Sequence, residues 1–168
     1  ILAGWQRLRL TADEIGQHFK ADSNLGVLLG EPSGWLIDID LDHPLAVELA
    51  PQFLPRTAAV FGRPSKRRSH WLYIATDAAT HERRVRVDDA DLMLVELRST
   101  GCQTVCPTSV HPSGEQITWD STREPAAVPA ADLLRAVDAL ADEICKRLGV
   151  AAQPASKRRD GLAGLRVR

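Results

Sequence analysis

Net charge is almost missing from this sequence. Twenty-one Lys and Arg stand against twenty-two Asp and Glu, a balance of −1 over 168 residues. The composition as a whole therefore does not advertise a nucleic-acid partner, and any such case must come from local clusters. Cysteine is scarce too. There are three, an odd number without regular spacing, which argues against a disulfide framework and suits a reducing, cytoplasmic location. No apolar run approaches the roughly eighteen residues that span a membrane, and no signal peptide is visible, so no membrane partner is expected. Internal repeats, low-complexity tracts and a Gly-x-Ser-x-Gly elbow are all absent, and Ser109 and His111 are too close in sequence to form a convincing hydrolase triad. Zinc is disfavoured as well. In an extended segment Cys102 and Cys106 would lie roughly 13 Å apart, too far to share one ion.

What remains is a chain of ordinary globular composition, 44% hydrophobic and 26% charged. Its length suits one domain with a sizeable core, which we place over residues 1–150, with a linker or basic tail over 151–168. The first residue is Ile rather than Met, and we expect a chain trimmed at its front.

The most informative stretch is 34–42, Gly-Trp-Leu-Ile-Asp-Ile-Asp-Leu-Asp. It reads as a buried strand bracketed by Gly34 and Pro44. Asp is depleted in strands and costly to bury unpaired, yet alternation puts Asp38 and Asp40 on one face with Cα atoms roughly 7 Å apart. Two carboxylates so placed can lean onto one or two hard cations, which in phosphoryl-transfer sites sit about 3.5–4 Å apart. A bare Asp-x-Asp also fits a strand end with solvated acids or a cap on the next turn.

Around it, Thr11 and Glu14 form a capping-box pattern at the head of a short helix. Residues 24–30 read as a strand in a hairpin with the Asp-bearing one. A helix opens at Pro44 and is limited by Pro51 and Pro55. Further strands are expected at 57–61, 70–75, 92–98, 101–106 and 116–119. Residues 62–69, 77–91 and 121–130 read as loops, with a short strand near 85–87. Residues 131–148 keep one face apolar and end at Gly149, the clearest helix in the chain.

Three further features carry chemistry. Glu96 lies inside an otherwise apolar strand, where it either joins the aspartates in a cage for magnesium or manganese or pairs with Arg98 on the same face. Arg63, Lys66, Arg67 and Arg68 cluster ahead of His70, a pattern that suits a triphosphate or a nucleic-acid backbone as well as a solvated surface. Residues 107–114, Pro-Thr-Ser-Val-His-Pro-Ser-Gly, form a stiff loop presenting Ser109 and His111.

In that order these motifs resemble the N-terminal catalytic domain of the bifunctional DNA primase/polymerase (Prim-Pol) family, in the archaeo-eukaryotic primase superfamily. The likeness runs from about Gly4 to about Trp119. The resemblance implies an α+β fold, a mixed β-sheet flanked by helices: a primase-polymerase palm with an RNA-recognition-motif-like core. It implies a template-dependent nucleotidyltransferase using Mg2+ or Mn2+ on Asp38, Asp40 and Glu96. It implies that His70 contacts nucleotide phosphates, with Ser69, Arg68, Ser109 and His111 nearby. Expected partners are single-stranded DNA template and nucleoside triphosphates, with a helicase domain or protein as a further one. The family's second motif is Ser-x-His; here Arg68 holds the Ser position and Ser69 adjoins His70. A non-catalytic nucleic-acid-binding module and a metal-dependent nuclease stay open as alternatives.

Overall fold

The computed structural model describes residues 4–122 and 124–152; most of the expected tail lies outside them. In chain order the elements are α1 (Ala12–His18), β1 (Gly26–Leu28), β2 (Leu36–Leu41), α2 (Pro44–Phe53), β3 (Ala59–Arg63), β4 (Lys66–Ile74), β5 (His81–Val87), β6 (Ala90–Arg98), β7 (Gln103–Val105), β8 (Thr118–Thr122), β9 (Ala126–Ala127) and α3 (Ala130–Leu148), with single 3-10 turns at Trp5–Arg7 and Glu31–Ser33.

The main sheet runs β5-β6-β2-β4-β3-β8, antiparallel throughout, and β9 adds a short parallel pairing to the end of β4. The fold is therefore α+β, as expected, and the sheet is mixed by virtue of that one pair. Alternation along β2 divides its two faces. Ile37, Ile39 and Leu41 are fully buried in a core with Trp71 and Tyr73 of β4 and Val95 and Leu97 of β6. Two helices seal this face. Ala46, Leu49 and Ala50 come from α2, and Leu133, Val137, Leu140, Ala141 and Ile144 from α3. Each Leu, Val or Ile among them contributes about 1.5–3 kcal/mol on burial. The opposite face keeps a small apolar cluster of Ala59, Phe61, Leu72 and Ile117 and is otherwise free for polar side chains.

Several expectations need correction. β1 does not form a hairpin with β2; it pairs with β7 in a separate two-stranded ribbon, and only a Gly30–Leu36 bridge joins the supposed partners. The cause is local. Gly30 and Gly34 both have positive φ (77° and 62°) and flank a 3-10 turn, which rotates the chain out of the β1 plane before β2 begins. The basic stretch 62–69 is not a loop. β3 and β4 form a hairpin whose turn is only Pro64-Ser65, with Arg63 opposite Lys66. Residues 81–87 form a full strand in a hairpin with β6, where mostly loop was expected. Residues 121–130 contain the end of β8 and all of β9. α2 runs through Pro51 to Phe53: the proline removes the hydrogen bond to the Val47 carbonyl and crowds it, and the helix ends within a turn.

Candidate active site

The site grows out of strand register. On β2, Asp40 stands directly opposite His70 of β4 on one side and Glu96 of β6 on the other. One step along, Asp38 stands opposite Leu72 and Arg98. Cross-strand partners share a face, so the two aspartates, His70, Glu96 and Arg98 converge on the face away from the helices. The sequence expectation that Asp38 and Asp40 share a face holds.

Asp38 is fully buried, and it is not left unpaired. His70 Nδ1 lies 3.0 Å from Asp38 Oδ2; an ionised carboxylate can only accept, so the ring donates from Nδ1. Arg98 Nη1 lies 3.8 Å from Asp38 Oδ2 and 3.4 Å from Asp40 Oδ2, and its Nε lies 3.5 Å from Glu96 Oε2. One guanidinium thus touches all three acids. Lys66 Nζ sits 3.4 Å from Asp42 and 3.9 Å from Asp40. The imidazole of His70 stacks on Phe61 at 4.6 Å, and Trp119 packs edge-on against Phe61, which fixes the ring plane.

These charges move the titrations. Burial pushes the Asp38 carboxyl up, but His70 and Arg98 outweigh it and hold the group below the ordinary aspartate range. Asp40 goes the other way: burial, then the charges of Asp38 and Asp42, raise it despite His70 and Lys66. For His70, burial opposes protonation, yet Asp38 and Asp40 win and raise the imidazole pKa.

A cavity of about 400 Å3 opens above this floor, lined by Asp40, Asp42, Lys66, His70, Arg98 and His111 among others, with Arg63 and Ser69 also on its wall. Glu115 ties its rim together. It accepts from the Ser65 backbone N–H and hydroxyl, both at 2.7 Å, and from the Ser113 hydroxyl at 2.9 Å, and it pairs with Arg63 at 3.2 Å. The β3–β4 turn and the 107–117 loop are thereby one piece.

The sequence candidates are therefore partly gathered. Asp38, Asp40, Glu96 and His70 come together, with His111 and Ser69 on the cavity wall. The Ser69 hydroxyl is buried and has no hydrogen-bond partner. Arg68 does not join them. Its guanidinium lies 5.3 Å over the Trp71 ring, which belongs to the helix-covered core. Ser109 is fully buried and accepts from the Leu25 N–H at 2.9 Å, pinning the loop to the strand entering β1. Sequence reasoning passed over Asp42, although it continues the 38, 40 alternation, and Glu82, which stands directly opposite Glu96 on a strand read as loop.

The donor set fits a hard cation: three carboxylates offer oxygen to one central positive group. As they stand, no three His, Cys, Asp or Glu side chains among the described residues form a ready metal-holding group, and the centre between the acids holds Arg98. Among the described residues no helix is long and apolar enough to cross a membrane.

The family model described as bifunctional DNA primase/polymerase, N-terminal, matches residues 2–131, well over half of the chain. No curated protein and no solved structure matches.

Proposed function

The chain belongs to the bifunctional DNA primase/polymerase N-terminal family, and on that premise we propose that it is a template-dependent nucleotidyltransferase that makes and extends primers on single-stranded DNA. The observation that carries this reading is the single row His70–Asp40–Glu96 across three neighbouring strands, with Asp38 buried beside it. In the reaction the primer 3′-hydroxyl oxygen bonds to the α-phosphorus of a nucleoside triphosphate, and the bond to the β-phosphate oxygen breaks, releasing pyrophosphate. Asp38, Asp40 and Glu96 would hold Mg2+ or Mn2+, which would lower the hydroxyl's pKa and neutralise charge on the leaving pyrophosphate.

The protein's own groups do the rest. His70, fixed by Phe61 and with its pKa raised against burial by Asp38 and Asp40, presents its second nitrogen to phosphate. Lys66 and Arg63 line the cavity as further cations for the triphosphate, whose negative charge builds in the transition state. His111 contacts the nucleotide from the wall, where Ser69 stays buried beneath the surface. Arg68 and Ser109 act indirectly, Arg68 by bracing Trp71 and Ser109 by anchoring the 107–117 loop.

The acids' saturation by Arg98, Lys66 and His70 favours a second reading, a non-catalytic nucleic-acid-binding module. One assay separates the two: primer extension on single-stranded template with Mn2+ and labelled nucleotides, wild type beside Asp38→Ala/Asp40→Ala. Extension by the wild type alone, with the double variant down by at least about a hundredfold, is the expected result. Template binding without extension in both would establish the module, and shortening of the labelled strand would establish a nuclease.

A further inference from the structure

Resting on the reading of Asp38, Asp40 and Glu96 as metal ligands, we propose that Arg98 is the resident counter-ion of that site. A divalent cation enters by displacing its guanidinium from the three carboxylates into the adjoining cavity. Arg98 lies within 3.8 Å of an oxygen on every one of the three acids. A magnesium-sized ion bound by those oxygens at about 2.0–2.1 Å would press its charge against the guanidinium in a poorly hydrated site. Ion and guanidinium therefore compete for the same oxygens.

Arg98 also has somewhere to go. Its side chain is one-fifth exposed and lines the 400 Å3 cavity. Its remaining anchor is neutral, a 2.6 Å hydrogen bond donated by Nη2 to the Gln103 carbonyl. Once displaced, the guanidinium joins Lys66, Arg63 and His70 around the space assigned to the triphosphate and adds a forked donor that suits phosphate oxygens. Cation entry and phosphate capture are coupled through this one side chain. The resident charge has a second consequence: it keeps four acids, Asp38, Asp40, Asp42 and Glu96, from repelling one another before a metal arrives, a task that Lys66 and His70 share.

The test is a Mn2+ titration read by the electron paramagnetic resonance of the free ion, on wild type, Arg98→Gln and Asp38→Asn. Arg98→Gln is expected to bind Mn2+ about 5- to 150-fold more tightly than wild type, the usual span of a coupling between two occupants of one site. It should also gain more in thermal midpoint from saturating Mn2+, because its metal-free acids lack their counter-ion. Equal or weaker affinity in Arg98→Gln, with Asp38→Asn still abolishing the site, overturns the inference and leaves the metal assignment standing. Mn2+ binding indifferent to Asp38→Asn overturns the metal assignment and the inference with it. Where Arg98→Gln fails to fold, the wild type decides. The Arg98 Nε–H resonance of 15N-labelled protein must shift in step with Mg2+ saturation, and a resonance that stays in place refutes the displacement.

Discussion

At Gly62 the backbone of the β3–β4 hairpin closes to within less than a methyl group's width. A Cβ added there would lie 2.5 Å from the Lys66 carbonyl oxygen and 2.7 Å from the Arg68 nitrogen. The crowding comes from the irregularity opposite, where the β3–β4 register shifts and Arg68 adopts a φ of 56°. That bulge turns the Arg68 side chain onto Trp71 while His70 keeps its place over Asp38. Gly62→Ala is therefore expected to cost about 1–3 kcal/mol, the usual penalty of overpacking, measured by urea unfolding. Because Lys66 and Arg63 flank the same turn, nucleoside triphosphate affinity should fall with it. Unchanged stability and unchanged affinity together would refute this account of the hairpin. Residue identity alone was a good guide to Asp38, Asp40, Glu96 and His70, since acids inside apolar strands are rare enough to stand out. It was a poor guide to Arg68, because a positive φ at a non-glycine residue leaves no mark in sequence, and the bulge decides which face the side chain takes.

At the scale of elements, β5 shows what hides a strand from its sequence. His-Glu-Arg-Arg-Val-Arg-Val has too few apolar residues to show an apolar face, yet every second position is used. Glu82 and Arg84 pair with each other at 3.1 Å. Arg83, only 7% exposed, instead reaches α3, where Nη1 meets Asp138 at 2.5 Å and Nη2 meets Asp142 at 2.6 Å. His81 Nε2 lies 2.8 Å from the same Asp138. The helix thus docks on the sheet through charge as well as through Leu133, Val137 and Leu140. Burial alone would raise the Asp138 carboxyl, but hydrogen bonds from His81 and Arg83 outweigh it and depress the pKa. A depressed carboxyl contributes stability that is fully present above its unfolded pKa, about 3.9, and is lost as pH falls through the lower folded value. Asp138→Asn should accordingly flatten the acid limb of the stability curve below about pH 4. At neutral pH it should cost no more than about 1 kcal/mol, because the side chain is more than a third exposed. Acid titrations followed by far-ultraviolet circular dichroism would show it, and an acid limb identical to wild type would remove Asp138 from the docking of α3.

The whole molecule is a sheet with two chemically opposite faces, and β2 is where they meet. One residue in two belongs to the oil sealed by α2 and α3, and two of the alternate ones, Asp38 and Asp40, are acids. That periodicity is short-range, so the central strand and the apolar stripe of α3 were legible. The pairing of β1 with β7, some seventy-five residues further along the chain, was not, because strand partners are chosen by tertiary fit and not by neighbours in sequence. The site inherits this split. Its floor comes from adjacent letters, whereas its counter-ions and rim come from β4, β6 and the 107–117 loop and appear only when the sheet is assembled. Such a floor serves function at the expense of stability. Asp40 is the clearest case. Burial, with Asp38 and Asp42 beside it, raises its pKa, so its ionised form weakens the metal-free fold even with His70 and Lys66 near. The sign is opposite to that of Asp138: a raised carboxyl is better tolerated at low pH and costs stability once it ionises. Asp40→Asn should therefore abolish nucleotide incorporation while lifting the thermal midpoint of the metal-free protein by about 2–4 °C, the shift that roughly 1 kcal/mol produces in a domain of this size. Scanning calorimetry in chelator, run beside the extension assay, reads both quantities. A midpoint that drops with activity would mean that Asp40 holds the fold through Arg98 and Lys66 more than it strains it.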